Sequence, residues 1–357
     1  MNGDRPLKTF SKNELLNLEN VPVIWVHPEE LNISYGLNWN IPIDLSGDWD
    51  LNSNSFKENM VYRSFKQRLE GTDWKDTEFY KFYSRQPNWH GLGKLKYWNS
   101  MLQDIVTNGY THIPIKNPID NYMSILIGRS GQMFLYNGIH RWSCCLLSSI
   151  KKKIPVKVLA RHTRWQEFKD SCIRFQKSIG RLYSQLPHSD LRSIPFHFDS
   201  KRSNIIAKHS LFPKGTVTDI GARFGTVSYE LAQYGFKVTA IEKVKSIFAF
   251  MERVSKFPGD SFLPINADFT TLTDKANTLV MLNIAHHFTP DPKEFLAFLA
   301  RSKYSEIFYQ AHAIDNKWTA YITPEDYLKT IMETTKMSNA KELLEIGGRK
   351  LWHLTRS

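Results

Sequence analysis

The chain of 357 residues has no run of about 18 apolar residues, so its sequence offers no membrane-spanning helix. Its start, Met1-Asn-Gly-Asp-Arg5, has no apolar core of the kind a secretory signal carries, and a cytoplasmic protein is the expectation. Cysteine is scarce: Cys144, Cys145 and Cys172 are all there is. The adjacent pair cannot readily bridge itself, and no Cys-x-x-Cys or Cys/His cluster suggests zinc. A reducing compartment and no metal site follow as expectations. Neither a low-complexity tract nor an internal repeat is visible, which argues against fibres and solenoids.

Acidic residues are in the minority, 35 against 47 Lys and Arg, for a net charge of +12. The excess is local. From Lys151 to Arg181 there are ten basic residues and two acidic ones, Glu167 and Asp170. Such a stripe suits nucleic acid, a nucleotide phosphate, an acidic glycan or an anionic surface, and equally a solvated helix face. The length favours two domains, and a hydrophobic share of 41% is enough to fill their cores.

What is present in strength is Val217-Thr-Asp-Ile-Gly-Ala-Arg-Phe-Gly225. A strand runs through Asp219 into two glycines four apart, and a helical pattern follows from Thr226. Glycine at such a turn tolerates positive φ and lets a ligand approach the backbone closely. A second strand, Lys237-Val-Thr-Ala-Ile241, ends in Glu242. An acid about 20 residues beyond the glycine turn suits a ribose diol. The two signals together predict a nucleoside-bearing cofactor over the carboxyl ends of a parallel sheet.

Asp219-x-Gly221-x-x-x-Gly225 resembles motif I of the class I S-adenosylmethionine-dependent methyltransferases. Downstream, Asn266-Ala-Asp268-Phe269 resembles the loop whose acid reads the adenine amino group. Leu279-Val-Met-Leu-Asn283-Ile-Ala-His286-His287-Phe resembles the family's fourth strand and the loop after it. Ser305-Glu-Ile-Phe-Tyr-Gln310 matches the fifth strand. Glu342-Leu-Leu-Glu-Ile and Lys350-Leu-Trp-His-Leu-Thr355, joined through Gly347-Gly348, read as a hairpin. The resemblance covers about residues 195–357. It implies an α/β fold, a Rossmann-like seven-stranded sheet with a terminal antiparallel hairpin, and S-adenosyl-L-methionine as cofactor. The cofactor-binding residues it implies are Asp219, Gly221, Ala222, Gly225, Glu242, Lys243, Asp268, Phe269 and Asn283. Arg223 departs from the pattern, since many members have a small residue there.

A second pattern lies at residues 96–160. Leu102 to Asn108 reads as a short helix ending at Gly109, and Thr111 to Ile115 as a short strand. A hairpin from Ser124–Ile127 into Met133–Tyr136 follows. Then come Asn137-Gly-Ile-His-Arg-Trp142, a helix to Ser149 and the strand Ile154-Pro-Val-Lys-Val-Leu159. This resembles the α+β ParB/sulfiredoxin superfamily, whose members carry a Gly-x-His-Arg turn at a helix start. Backbone N–H groups at such a start, with a guanidinium beside them, form an anion site. The resemblance therefore implies a phosphate- or nucleotide-binding turn at Asn137, Gly138, His140 and Arg141, with a nucleoside triphosphate and Mg2+ as its candidate ligand. Ile139 stands where sulfiredoxins have a cysteine, which argues against that activity. No helix-turn-helix follows residue 160; Trp165 to Tyr183 reads as one basic linker helix. The domain plan is then an N-terminal extension (1–95), a ParB/sulfiredoxin-like domain (96–162), a helical linker (163–194) and a methyltransferase-like domain (195–357).

Methyl transfer is an in-line displacement for which an enzyme supplies proximity and, for a hydroxyl acceptor, a base. His286 and His287 follow the fourth strand, and one of them is the candidate base; His312 is a further candidate. The Asn/Asp-Pro-Pro-Tyr loop of amino-directed nucleic-acid methyltransferases is absent, which favours an oxygen acceptor. Near the N-terminus, Gly47-Asp-Trp-Asp50 and Gly71-Thr-Asp-Trp74 set aromatics beside acids, as sugar sites do; the competing reading makes Trp49 and Trp74 packing anchors. The expectation is an O-methyltransferase of a sugar or glycan hydroxyl with a phosphate-handling, kinase-like N-terminal domain. The alternative is a nucleic-acid methyltransferase delivered by a ParB-like binding module.

Overall fold

The structure is a computed structural model, and it describes residues 9–10, 21–31, 33–35, 43–51, 53–86, 91–111, 122–199, 201–272, 276–288, 291–312 and 322–356. The chain divides into two compact units, residues 1–173 and 174–357. Among the described residues, no helix is long and apolar enough to cross a membrane.

The first unit is built on a mixed six-stranded sheet. Its strands are β1 (Val23–Val26), β2 (Ile33–Tyr35), β3 (Ser53–Ser55), β4 (Met123–Ile127), β5 (Met133–Asn137) and β6 (Ile154–Arg161), in the order β1-β6-β4-β5-β2-β3. The helices are α1 (Met60–Leu69), α2 (Glu78–Tyr83), α3 (Gly91–Asn108) and α4 (Ile139–Leu147). The β4–β5 hairpin, α4 and β6 fall where the sequence pattern set them. The helix expected over 102–108 begins eleven residues earlier, at Gly91, and residues 112–115 of the expected strand lie outside the described residues. A boundary at residue 95 would cut this sheet, because β1 pairs with β6, and β2 pairs with β5. Period-two patterning could not reveal this, since β2 and β3 are three residues each.

The polar-aromatic turn at 47–50 is a structural clamp. Asp50, whose side chain is wholly buried, pairs with Arg129 in the β4–β5 turn at 2.8 Å, and Asp48 meets the same guanidinium at 2.6 Å. Trp49 packs edge-on against Phe134 at 5.4 Å. Trp74 is buried against Phe65 and donates from Nε1 to Asn99. Both tryptophans are packing anchors, so the sugar-stacking reading of these turns is withdrawn. The acids beside them are committed locally: Asp73 caps its own turn through the Lys75 N–H.

Helix α5 (Thr163–Ile179) carries the boundary between the units and buries Trp165, Phe168 and Cys172. It is shorter than the linker helix expected to Tyr183. Gly180 at φ 83° ends it, and Tyr183 belongs to a strand.

The second unit contains a short parallel pair, β7 (Leu182–Ser184) and β8 (Phe196–Phe198), and then α6 (Lys201–His209). Its main sheet has seven strands. They are β9 (Thr216–Ile220), β10 (Lys237–Glu242), β11 (Leu263–Asn266), β12 (Thr278–Leu282), β13 (Glu306–Gln310), β14 (Asn339–Ile346) and β15 (Arg349–Thr355). The order is β11-β10-β9-β12-β13-β15-β14; the first five are parallel and the last two form an antiparallel hairpin. Helices α7 (Thr226–Gln233), α8 (Lys245–Val254), α9 (Lys293–Arg301) and α10 (Pro324–Thr335) alternate with the strands. Strands β12 and β13 are buried along their whole length, as continuous apolar runs in a doubly covered parallel sheet should be. Gly347 and Gly348, both at positive φ, supply the tight turn of the hairpin. The strand order reverses between β9 and β12, and it is outside the carboxyl ends at such a reversal that open α/β sheets bind ligands.

Candidate functional site

At that reversal the second unit has a cleft of about 560 Å³. Its floor is the turn after β9. Gly221, at φ 65°, leaves room for Ile284; a Cβ there would come within 2.6 Å of the Ile284 Cδ1. The Ala222 N–H donates to the carbonyl of Ile241, which fixes the turn to the end of β10. Gly225 lies away from the cleft. At φ 71° it opens α7, and a Cβ there would strike Phe262 and Met251, so its role is close helix packing.

Glu242 stands at the end of β10. Its carboxylate accepts from the backbone N–H of Arg223 at 3.0 Å and of Val244 at 2.8 Å. Each oxygen keeps a lone pair, so the group is held in orientation yet able to accept a diol. Asp268, after β11, is aligned by the N–H and hydroxyl of Thr270 and by Lys243, whose ammonium lies 2.7 Å away. Desolvation works against the charge of the half-buried Asp268, yet these partners hold its carboxyl below the usual carboxylate range. Phe269 packs edge-on against Phe288 beneath this corner.

Asn283 closes β12. Its φ of 56° is strained for a residue with a side chain, and it is held by its N–H to the Gln310 carbonyl. Arg223 is the other strained residue here, at φ 53°. Both sit at strand ends where a ligand would lie.

His286 and His287 follow on a short 3-10 turn, their ring centroids 4.2 Å apart, with His312 at 5.6 Å from His286. Tyr327 anchors the turn through the Ala285 carbonyl. Burial, then His287, His312 and Arg349, push the His286 pKa down to about 3. Burial and Arg223 lower that of His287, with Glu242 pulling the other way. The pair is neutral at neutral pH, the form in which imidazole accepts a proton, but its basicity is weakened by burial first and by the cations around it second.

Asp219 is placed differently from the other acids. It is only 3% exposed, accepts from the Ser228 hydroxyl at 2.6 Å, and burial raises its pKa to about 7. It lines a second, small cavity of about 40 Å³ beside the glycine turn, together with Gly221, Ala222, Thr226 and Arg202. There the buried Thr226 Oγ1 and Arg202 Nε have no partner among the described residues. This pocket shares Gly221 and Tyr183 with the lining of the cleft.

The motifs missed Tyr183, Phe198, Arg202 and Arg349. The Tyr183 and Phe198 rings alternate with three guanidinium groups: Arg223 over Tyr183 at 5.5 Å, Arg202 at 5.1 Å from Tyr183 and 4.5 Å from Phe198, and Arg349 at 5.0 Å from Phe198. Tyr183 also hydrogen-bonds the Asn283 amide. The short strands that carry these rings have no periodic signature, and Arg349 lies between the hairpin glycines and the strand pattern that begins at Lys350.

In the first unit, Gly138 takes φ 99° and opens α4, as the turn required. A Cβ there would strike Met123. Asn137 is exposed at the end of β5, and Arg141 is half-buried near Tyr110. His140 departs from the expected anion site. Its ring stacks on Trp98 at 5.1 Å and packs against Phe65 and Phe79. Burial pushes its pKa down to about 4, so it is a neutral ring in an aromatic cluster and brings no charge to a phosphate. Cys144 and Cys145 are free, buried, and raised in pKa by burial, as core residues are.

No family model matches the chain, and no curated protein matches it. Solved structures do. The bifunctional kinase-methyltransferase WbdD is similar at 13% identity over 52% of this chain and 46% of that one, with a TM-score of 0.43. A SAM-dependent methyltransferase from Aquifex aeolicus is similar at 17% identity over 43% of this chain and 87% of that one, TM-score 0.36. The mitomycin 7-O-methyltransferase MmcR is similar at 16% identity over 43% and 53%, TM-score 0.35. The matched region thus spans about half or less of WbdD and about half of MmcR.

Proposed function

We propose that residues 174–357 bind S-adenosyl-L-methionine and that the protein is a methyltransferase acting on a hydroxyl. The observation that carries this reading is the phasing of one cleft: a glycine turn at positive φ, an oriented Glu242 and an oriented Asp268 on three successive strand ends, at the reversal of strand order. Glu242 suits a ribose diol, Asp268 and Phe269 an adenine ring, and the wall from Gly221 to Asn283 the sulfur end. The small cavity, with Asp219 facing buried Arg202, suits an amino-acid head bearing both charges. When bound, the cofactor supplies an electrophilic methyl group on a sulfonium.

The chain's own task is to orient the acceptor and hold its proton. Neutral His287 lies nearer Glu242, and neutral His286 nearer Arg349. Either ring can take the proton of a hydroxyl as its oxygen gains carbon. A sugar or glycan hydroxyl remains the acceptor class we favour, supported by the hydrogen-bonding rim of Tyr183, Asn283 and His312.

For the first unit we carry the nucleotide-phosphate reading only at the backbone of the Gly138 turn and at Arg141, because His140 does not fit it. A site for Mg2+ has no support there: the described residues hold no group of three His, Cys, Asp or Glu suited to a metal.

Titration calorimetry with S-adenosylhomocysteine tests the cofactor assignment. Wild type should bind, and Glu242→Ala should bind at least about tenfold more weakly, the loss of one charge-assisted pair of hydrogen bonds. Equal affinity would remove Glu242 from the site, and no heat with well-folded wild type would remove the cofactor.

A further inference from the structure

Three guanidinium groups meet at one end of the cleft, and they are not equally compensated. Arg202 is buried and has the Asp219 and Glu230 carboxyls near it. Lys243 is paired with Asp268. Arg223 and Arg349 line the open cleft, and among the described residues neither forms an ion pair. Arg349 is half-buried. It lies over Phe198, meets the Asn283 amide oxygen from Nη1 at 3.1 Å when that amide is oriented to satisfy its neighbours, and its buried Nε has no partner among the described residues. A cation–π contact and one amide leave most of a guanidinium's five donors unspent.

The cofactor reading uses Gly221, Glu242, Lys243, Asp268 and Phe269. Apart from the aliphatic Ile241, Val244, Ile247, Leu282 and Ile284, what remains of the lining is Tyr183, Arg223, Asn283, the three histidines, Phe288 and Arg349. Among the described residues, this remaining lining contains no carboxylate. Its histidines are kept neutral partly by the two arginines: Arg349 acts on His286 and His312, and Arg223 on His287. His312 Nε2 is buried without a partner among the described residues. A neutral acceptor would leave two guanidinium groups and that ring nitrogen facing it unmatched, a desolvation cost without return.

We infer that the acceptor carries an oxyanion, a phosphate or a carboxylate, beside the hydroxyl to be methylated, and that Arg349 is its principal ligand with Arg223 as the second cation of the same lining. Seated there, the anion compensates the charge that weakens His286 and His287 as bases. The acceptor oxygen gains the methyl carbon, the sulfur–methyl bond breaks to leave a neutral thioether, and the hydroxyl proton passes to a histidine. The anion is bound and unchanged.

This inference rests on the cofactor reading, and the test separates the two. Full-length protein saturated with S-adenosylhomocysteine is titrated with glucose 6-phosphate, glucuronate and methyl glucoside. One of the anionic sugars should bind roughly tenfold or more tightly than the neutral one, and which of them it is tells phosphate from carboxylate. Arg349→Gln should abolish that preference and Arg349→Lys should keep part of it, because a lysine retains charge without the planar fork. Thermal stability and S-adenosylhomocysteine affinity, measured in parallel, expose a merely structural effect. Equal or absent binding of all three sugars, or an anion preference that survives Arg349→Gln, overturns the inference. If S-adenosylhomocysteine itself does not bind, the cofactor reading has failed first.

Discussion

Asp219 is an unusual place for a negative charge. A carboxyl shut from solvent beneath a glycine turn prefers its proton, and burial raises its pKa from 3.8 to about 7. Between about pH 4 and 7 the native state therefore holds a proton that the unfolded chain has released, so this group's contribution falls as pH rises and its cost is complete above 7. Asp219→Asn keeps an acceptor for the Ser228 hydroxyl and removes the charge. It should leave stability near pH 4 almost unchanged and raise it at pH 8 by up to about 4 kcal/mol, read from urea denaturation at the two pH values. A variant less stable than wild type at pH 8 would mean that the ionised carboxylate is held by Arg202 more strongly than its burial opposes it. The residues of the glycine turn and the acids of the strand ends were legible in the sequence because each marks a fixed point on a strand–turn–helix repeat. Tyr183, Arg202 and Arg349 were not, because long-range packing alone brings them to the cleft. Trp49 and Trp74 looked like sugar platforms for the opposite reason: an aromatic beside acids is equally the pattern of a buried anchor whose acids clamp an arginine, as at Trp49, or cap a turn, as at Trp74.

Among the elements, β13 carries a buried polar knot. The Glu306 side chain is wholly buried and accepts from Ser210 Oγ, the Leu211 N–H, Thr278 Oγ1 and His353 Nε2, the last at 2.7 Å. His353 stacks flat on Phe308 at 4.4 Å. The knot ties the end of α6 to β12, β13 and β15. Burial works against the charge of Glu306, yet these donors hold its pKa below 4.5, so its stabilisation is present above that pH and fades as pH falls through the lowered value. Glu306→Ala strands four donors and should cost roughly 3–5 kcal/mol in chemical denaturation at pH 7; Glu306→Gln, which keeps an acceptor, should cost less. An alanine variant as stable as wild type would show the knot to be incidental. Elements of this unit were readable from the chain because buried parallel strands are continuous apolar runs with punctuation between them. In the first unit the three-residue strands β2 and β3 carry no such run, and their place in the sheet is set by partners far along the chain.

At the scale of the whole molecule, the chain is two units, each with its own sheet, and a net charge of +12. The basic run Lys151–Lys153 is exposed, and β6 just after it buries Val156 and Val158. A charge of this kind attracts nucleic acid without selecting it. Binding to a short single- or double-stranded oligonucleotide should therefore weaken steeply as salt is raised and be no tighter than about 10⁻⁶ M at physiological salt. Tight binding that persists there would favour the nucleic-acid acceptor over a small hydroxyl compound.

The central claim is that a sulfonium nucleoside belongs over the ends of β9, β10 and β11. A crystal structure of the full chain with S-adenosylhomocysteine reads it directly. The account predicts the ribose on Glu242, the adenine between Asp268 and Phe269, and the sulfur open to His286 and His287. The compound found elsewhere, or a saturated crystal with this cleft empty, would contradict it.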